Sequence, residues 1–220
     1  MKPNALVALA LLLALIAPIA ASAVEPSAAV SAASDPDLAG AELHTSTDGF
    51  QFLAHEGPVV GDGELRTYRV EVDPATGINP WVFTNIAERI IGDARGWTGT
   101  GHWALQRTGD HRADIRLLVA TPKTVDRLCA RAGLDTHGEV SCWNGEFAAI
   151  NVDRWRSGAD GFVGSLRSYR QYVLNHELGH GLGYGHEQCP RRGARAPVMQ
   201  QQTYATRPCV ANGWPTRDPG

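Results

Sequence analysis

Five residues between positions 176 and 186 have the types and spacing of a catalytic metal site. They are His176, Glu177, His180, Gly183 and His186, in the pattern H-E-x-x-H-x-x-G-x-x-H. Imidazole nitrogen is a preferred ligand of Zn²⁺, and a glutamate next to the first histidine can act as a base beside the ion. The pattern therefore predicts zinc as cofactor and hydrolysis by an activated water.

The spacing explains how three histidines can reach one ion. His176 and His180 are four positions apart, so on a helix they project from the same face. A straight helix could not bring a third ligand round so soon, but Gly183 can adopt positive φ at low cost and turn the chain back. His186 then returns as the third metal ligand, and three protein ligands leave a fourth position for water.

Glu177 is predicted to act as the general base. It follows His176 directly, and the rotation of about 100° per helical residue sets its carboxylate beside the ion rather than on it. From there it can take a proton from the activated water and pass it to a leaving amine. An isolated H-x-x-x-H pair is more often structural, but Gly183 and His186 in register favour a metal site. A metal site that has lost its activity is the alternative.

The N-terminus has the pattern of an export signal. Lys2 precedes an apolar stretch over residues 5–19, and Ala-Ser-Ala ending at Ala23 matches a small-residue cleavage site. We therefore expect residues 1–23 to be a signal peptide, and the product to be secreted or associated with the cell envelope. A retained membrane anchor is the alternative, which Pro18 and the short apolar core disfavour.

The rest of the chain is predicted to be a linker followed by one domain. Residues 24–45 are rich in Ala and Ser and have few large apolar side chains, which is typical of a disordered linker. Residues 46–220 are long enough for one folded domain with a sizeable core. No stretch after the signal could span a bilayer, so stable membrane insertion is not expected after cleavage.

Four cysteines are predicted to form two disulfides. Cys129, Cys142, Cys189 and Cys209 are an even number in an exported chain, which favours pairing. Three connectivities are possible, and proximity in sequence favours Cys129–Cys142 with Cys189–Cys209. A cysteine metal site is the alternative, although no C-x-x-C spacing supports it.

Charge and composition narrow the range of partners. The formal charge is −3 with both signs mixed along the chain, which argues against a nucleic-acid partner. Arg191, Arg192 and Arg195 form a short cluster after the histidine motif. We expect them in a solvated loop, and the alternative is that they bias the site towards acidic substrates. The expected partner is a peptide or protein substrate, bound by a monomer.

Hydrophobic patterning predicts an α+β fold, with helices packed on a mixed sheet. Residues 67–73 alternate three apolar side chains with Arg69 and Glu71, which is typical of a half-buried strand. Four strands can be placed, and a fifth fits the pattern. Strands are predicted over 67–73, from Trp103, over 113–120 and over 146–155, and helices over 79–95, 122–133 and 166–182.

With the histidine motif in place, the chain resembles the metzincin metallopeptidases. That clan has a methionine in a tight turn beneath the zinc, and here Met199 follows His186 at a suitable distance. The resemblance implies that Met199 is this structural methionine. It also implies a twisted mixed sheet with an antiparallel edge strand, an active-site helix and a small C-terminal subdomain.

Two families within that clan share further features with the chain. Glu187, directly after the third histidine, resembles the astacins, which place a tyrosine two residues after the methionine. Here that position is Gln201, and Tyr204 is the nearest tyrosine. The whole chain is more similar to a family of secreted actinobacterial domains of unknown function. The shared features are Arg95-Gly96-Trp97, residues 151–155, Cys189-Pro190 and residues 198–201.

The motif and the resemblance together imply an exported zinc-dependent endopeptidase. An extended substrate is expected to pair with a sheet edge above the histidine helix. One alternative is a hydrolase of cell-wall peptides, which the linker would hold near the envelope. The other is a zinc-stabilised module that binds peptides without cleaving them.

Overall fold

A mixed sheet forms the centre of the fold. The computed structural model describes Leu38 and residues 40–215, and the predicted signal peptide and most of the predicted linker lie outside them. The sheet of these described residues has eight strands: β1 Glu42–Thr45, β2 Gln51–Ala54, β3 Val59–Val60, β4 Glu64–Val72, β5 Trp103–Arg107, β6 Ile115–Ala120, β7 Cys142–Trp143 and β8 Phe147–Asn151. The α-helices are α1 Pro80–Ile91, α2 Pro122–Cys129, α3 Val152–Ser157 and α4 Leu166–Gly181.

The strand order is β1-β2-β4-β6-β8-β7, and β5 pairs with β3 and with the first half of β4. The four longer strands β4, β5, β6 and β8 pair in parallel, whereas the short strand β7 runs antiparallel to β8 at one edge. All six residues of β6 are buried, as expected for a central strand covered on both faces. The α+β class predicted from the sequence is confirmed, and the antiparallel edge strand that the resemblance implies is present.

Helices cover both faces of the sheet. On one face, the alternate side chains Tyr68, Val70 and Val72 of β4 join a core with residues of α1, α3 and α4. On the other face, a smaller core forms between α2 and the opposite side chains of β6 and β8, such as Leu118 and Phe147. Helix α4, which carries the histidine motif, therefore packs against the larger core.

The strand predicted over residues 146–155 is wrong in its second half. Strand β8 ends at Asn151, and α3 begins at once. The reason is local, because the Asn151 side chain accepts a hydrogen bond from the backbone N–H of Asp153 at 2.9 Å and caps the helix. Helix α1 also ends at Ile91, earlier than the predicted residue 95.

The folded domain begins earlier than predicted. Strand β1 lies inside the predicted linker of residues 24–45 and pairs antiparallel with β2. Leu38 is 2% exposed, so the chain already contributes to the core before residue 46. The four residues of β1 are all exposed, and so hydrophobic patterning gives no signal for this strand.

Two charged residues in the second half of β4, Arg69 and Glu71, do not face solvent. Glu71 is fully buried and accepts hydrogen bonds from Arg69 at 2.7 Å and from two nitrogens of Arg116 at 2.7 and 2.8 Å. Asp48, in the turn between β1 and β2, binds Arg116 at 2.8 Å. The prediction of a half-buried strand is therefore wrong for residues 68–72, because the hairpin of β1 and β2 covers the polar face of β4 and makes it a buried ion-pair network.

Both disulfides that proximity favoured are confirmed, as Cys129–Cys142 and Cys189–Cys209. The first joins the end of α2 to edge strand β7. The second closes a loop within residues 182–215, which follow α4 and form no helix and no strand of the sheet. No helix within the described part of the chain has both the length and the apolar character needed to cross a bilayer.

We predict that Glu71→Gln lowers the free energy of unfolding by about 3 kcal/mol. The change removes the buried counter-charge of Arg69 and leaves Arg116 with only the more exposed Asp48 and Glu146, and breaking one side of a buried ion pair costs about 3–5 kcal/mol. Glu64→Gln is the matched control, since Glu64 pairs with Arg66 on the surface and should cost less than about 1 kcal/mol. Urea unfolding followed by tryptophan fluorescence measures both, and equal losses would contradict the role of the network.

Candidate metal centre

Helix α4, which carries the histidine motif, is capped at its first turn and buried along most of its second half. Ser165 caps its first turn by accepting a hydrogen bond from the Ser168 N–H at 3.1 Å. Every residue from Tyr172 to Gly179 is buried, so this part of the helix is enclosed all round. Tyr172, His176 and His180 follow one another at intervals of four and so form one stripe along the helix.

The structure brings the three predicted metal ligands together. His176, His180 and His186 each offer one nitrogen, and these nitrogens all lie within 4.8 Å of one another. The Nε2 atoms of His180 and His186 are 3.1 Å apart. A proton or a metal ion must lie between two nitrogens this close, because two lone pairs repel.

Backbone carbonyls fix the tautomers of the two helical ligands. The Nδ1–H of His176 donates to the carbonyl of Val198 at 2.8 Å, and the Nδ1–H of His180 donates to that of Tyr184 at 2.8 Å. A carbonyl only accepts, so Nδ1 must hold the hydrogen in both rings and Nε2 keeps its lone pair. Burial also lowers the pKa of all three imidazoles, that of His176 to about 3, which keeps them neutral.

Gly183 makes the predicted turn after the helix. Its φ is +94°, a value that L side chains rarely adopt. The chain then bends back, and the Tyr184 N–H donates to the carbonyl of Gly179 at 3.0 Å. The Tyr184 ring stacks on Trp97 with centroids 4.4 Å apart. This packing anchors the turn that returns His186 to the other two histidines.

Glu177 is buried beside the histidines, as predicted, but is not one of their group. It is 4% exposed, and its Oε2 atom makes no hydrogen bond to any group of the described residues. Burial raises the pKa of this carboxyl to about 8. A cation nearby would favour the charged form and oppose that shift. Because Oε2 has no protein partner and Glu177 lines the cleft, the carboxyl group can exchange a proton with a molecule there.

Met199 lies beneath the helix that carries the histidines. It is fully buried and lies within a turn in which the Gln200 N–H donates to the carbonyl of Pro197 at 3.0 Å. A Cβ atom on Gly179 would lie 2.5 Å from the Met199 sulfur and 2.6 Å from the ring of Trp97. The helix can approach this floor so closely only because residue 179 has no side chain.

A cleft of about 320 Å³ opens over the histidines and Glu177. Besides these residues and Tyr172, two segments line it, which we call the 134–143 wall and the 201–204 wall. The lining residues are Leu134, Asp135, Thr136, Val140, Ser141, Cys142 and Trp143 from the first, and Gln201, Thr203 and Tyr204 from the second. The chain folds back after Met199, which brings Tyr204 into the cleft.

The arginine cluster after the histidine motif lies outside the cleft. Arg191, Arg192 and Arg195 do not line the cleft, so the alternative that they bias the site towards acidic substrates finds no support.

Sequence reasoning missed the residues that fasten the 134–143 wall. The Asp126 carboxylate in α2 accepts hydrogen bonds from the Thr136 hydroxyl and from the Gly138 N–H. The Asn151 side chain donates to the carbonyl of Gly138 at 2.9 Å, and Arg154 donates to that of Glu139 at 2.5 Å. The only sequence signal for these contacts is the segment 151–155, which the resemblance marks as a shared feature but gives no role.

We predict that Gly179→Ala destabilises the protein by about 2 kcal/mol. The added methyl group must displace Met199 or the rigid ring of Trp97, and overpacking of a core typically costs about 1–3 kcal/mol. Gly185→Ala is the control, because a Cβ there meets nothing within 4 Å and its φ is not positive. Thermal unfolding of both variants measures the difference. A Gly179→Ala protein as stable as the control would show that the floor is loosely packed.

Comparison with known proteins gives a family but no function. The family model described as a protein of unknown function (DUF3152) matches residues 38–212, well over half of the chain. The match includes the three histidines, Glu177 and both walls of the cleft. No curated protein and no solved structure matches the chain. The chain therefore belongs to the DUF3152 family of proteins of unknown function.

Proposed function

We propose that this protein is an exported zinc-dependent endopeptidase of the metzincin type. The observation that carries the proposal is that three neutral imidazoles each place one nitrogen within 4.8 Å of the others, in a cleft that a buried carboxylate also lines. The buried turn at Met199 supports the likeness to that clan. The two disulfides support an oxidising compartment outside the cytoplasm.

Zinc fits the donor atoms of His176, His180 and His186. A tetrahedral ion with bonds of about 2.0–2.1 Å holds its ligand nitrogens roughly 3.3 Å apart, close to the 3.1 Å between His180 and His186. The carbonyl partners of His176 and His180 are the outer-shell contacts that orient metal-binding imidazoles. When bound by three ligands, zinc supplies a Lewis acid that polarises a peptide carbonyl and lowers the pKa of a water.

Glu177 serves as the base in this proposal. Its Oε2 atom faces no protein donor, so the carboxylate can accept a proton from the attacking water. It then delivers that proton to the amine that leaves when the peptide bond breaks. Its buried position keeps other protein groups from competing for the proton.

Edge strand β7 gives the cleft a place for an extended peptide. Within the described residues β7 pairs only with β8, so its other edge has no strand partner. Cys142 and Trp143 of β7 line the cleft together with Val140 and Ser141. Backbone hydrogen bonds to this edge would hold a substrate in line with the histidines, while Leu134, Val140 and Trp143 offer apolar contacts.

We predict one zinc ion per chain in the purified protein. His186→Ala removes one of three ligands and should weaken zinc binding at least 100-fold, measured by competition with a chelator of known affinity. His111→Ala is the control, because His111 is an exposed histidine outside the cluster. A protein without bound metal, or one whose zinc affinity is the same in both variants, would contradict the proposal.

We predict that Glu177→Gln lowers kcat/KM by about 10²–10⁴-fold, because the amide cannot accept the proton. Zinc content should be unchanged, since Glu177 is not a ligand. The assay is cleavage of a diverse peptide pool mapped by mass spectrometry. Glu139→Gln is the control, because it removes an exposed carboxylate in the 134–143 wall that does not line the cleft. Its kcat/KM should stay within twofold of the wild-type value.

The same assay separates a peptidase from a binding module. A wild-type protein that holds zinc and cleaves no peptide, while peptides still bind to it, would be a zinc-stabilised binding module. Cleavage limited to cell-wall peptides would indicate the narrower hydrolase. Both results would contradict a general endopeptidase.

A further inference from the structure

Tyr172 lies in the cleft one helical turn before the first metal ligand. Its ring centroid is 5.3 Å from that of His176, and the residue is 2% exposed. It nevertheless lines the cleft together with the histidines and Glu177. Tyr172 therefore combines a fixed position in the core with access to the space above the metal centre.

The hydroxyl group of Tyr172 is held as an acceptor but keeps its hydrogen available. It accepts a hydrogen bond from the Thr203 N–H at 3.3 Å, and it also contacts the Thr203 hydroxyl, which Tyr169 shares at 3.1 Å. A phenol both donates and accepts, and buried donors are rarely left without a partner. A carbonyl oxygen of a molecule in the cleft can accept this hydrogen in place of the Thr203 hydroxyl, because both residues line the cleft.

Neighbouring aromatic rings restrict how Tyr172 can move. Phe162 stacks on its ring at 5.4 Å, and Tyr169 meets it edge-on at 5.7 Å. With the contact from Thr203, these rings hold the side chain before any substrate arrives. A donor that needs no reorganisation at the moment of reaction is the most effective kind for stabilising developing charge.

We propose that Tyr172 donates a hydrogen bond to the oxygen of the peptide carbonyl under attack in the cleft. The inference rests on the proposed peptidase function and adds a second stabilising contact for the negative charge that develops on that oxygen. Tyr172 stands in the same helical stripe as His176 and His180, so its side chain and the two imidazoles project from one face of α4 into the same cleft.

The other tyrosine of the cleft is less suited to this role. Tyr204 is 59% exposed, and its hydroxyl group makes no hydrogen bond within the described residues. Its side chain would have to be immobilised during the reaction. The structure therefore favours Tyr172 as the donor and leaves Tyr204 to contact the rest of the substrate.

The test compares Tyr172→Phe with Tyr169→Phe. Tyr169 is the matched control, because it stands on the same helix and its hydroxyl group also bonds Thr203, at 3.1 Å, but it does not line the cleft. We expect Tyr172→Phe to lower kcat/KM about 10- to 100-fold, mainly through kcat, and Tyr169→Phe to stay within twofold of the wild type. Zinc content and melting temperature should be alike in the two variants.

A binding measurement provides a readout that does not depend on turnover. A phosphinic peptide, in which a phosphinyl group replaces the cleaved bond, is titrated into each zinc-loaded protein by calorimetry. We expect its Kd to rise about tenfold in Tyr172→Phe and to be unchanged in Tyr169→Phe.

The outcomes are distinguishable. Equal kinetics and equal Kd in the two variants would overturn the role of Tyr172 while leaving the peptidase proposal intact. A drop in kcat seen in Tyr204→Phe and not in Tyr172→Phe would assign the donor to Tyr204 instead. An inactive wild-type protein would contradict the proposed function itself, and the inference with it.

Discussion

Two hydrogen bonds to the main chain hold the candidate site together. The carbonyl of Val198 orients the ring of His176, and the carbonyl of Tyr184 orients that of His180. Both carbonyls belong to the chain that follows α4, so the helix alone cannot aim its own ligands. The turn at Gly183, the loop to Val198 and the packing beneath them all serve this one constraint. Three imidazoles converge only when the C-terminal segment is correctly folded.

The enclosure of α4 has a chemical as well as a structural result. A buried helix keeps its imidazoles neutral and shields the carboxylate of Glu177 from protein donors. The same enclosure leaves little room for change, because Gly179 touches the floor formed by Met199 and Trp97. The neutral imidazoles and the rigidity of the site therefore have one origin, the close packing of one helix.

The centre of the site could be predicted from the sequence, but its surroundings could not. Helical spacing converts directly into direction, which is why the positions of His176 and His180 were clear. The 134–143 wall is fastened by Asn151 and Arg154 through backbone carbonyls, and such bonds leave no pattern in residue types. The alternation in β4 shows which face of the sheet Glu71 lies on. It does not show that the hairpin of β1 and β2 covers that face. Short, exposed strands such as β1 leave equally little trace.

The two disulfides give the walls of the cleft a different kind of stability from its floor. The 134–141 part of the first wall lies between Cys129 and Cys142, and the 201–204 wall lies between Cys189 and Cys209. Closing loops with sequence separations of 13 and 20 removes conformational entropy from the unfolded chain, worth about 3 kcal/mol for each in the chain-entropy model. The disulfides therefore add a covalent contribution to the stability of these walls beside the hydrogen bonds that fasten them, and strand β7, with only two residues, need not hold its wall by pairing alone.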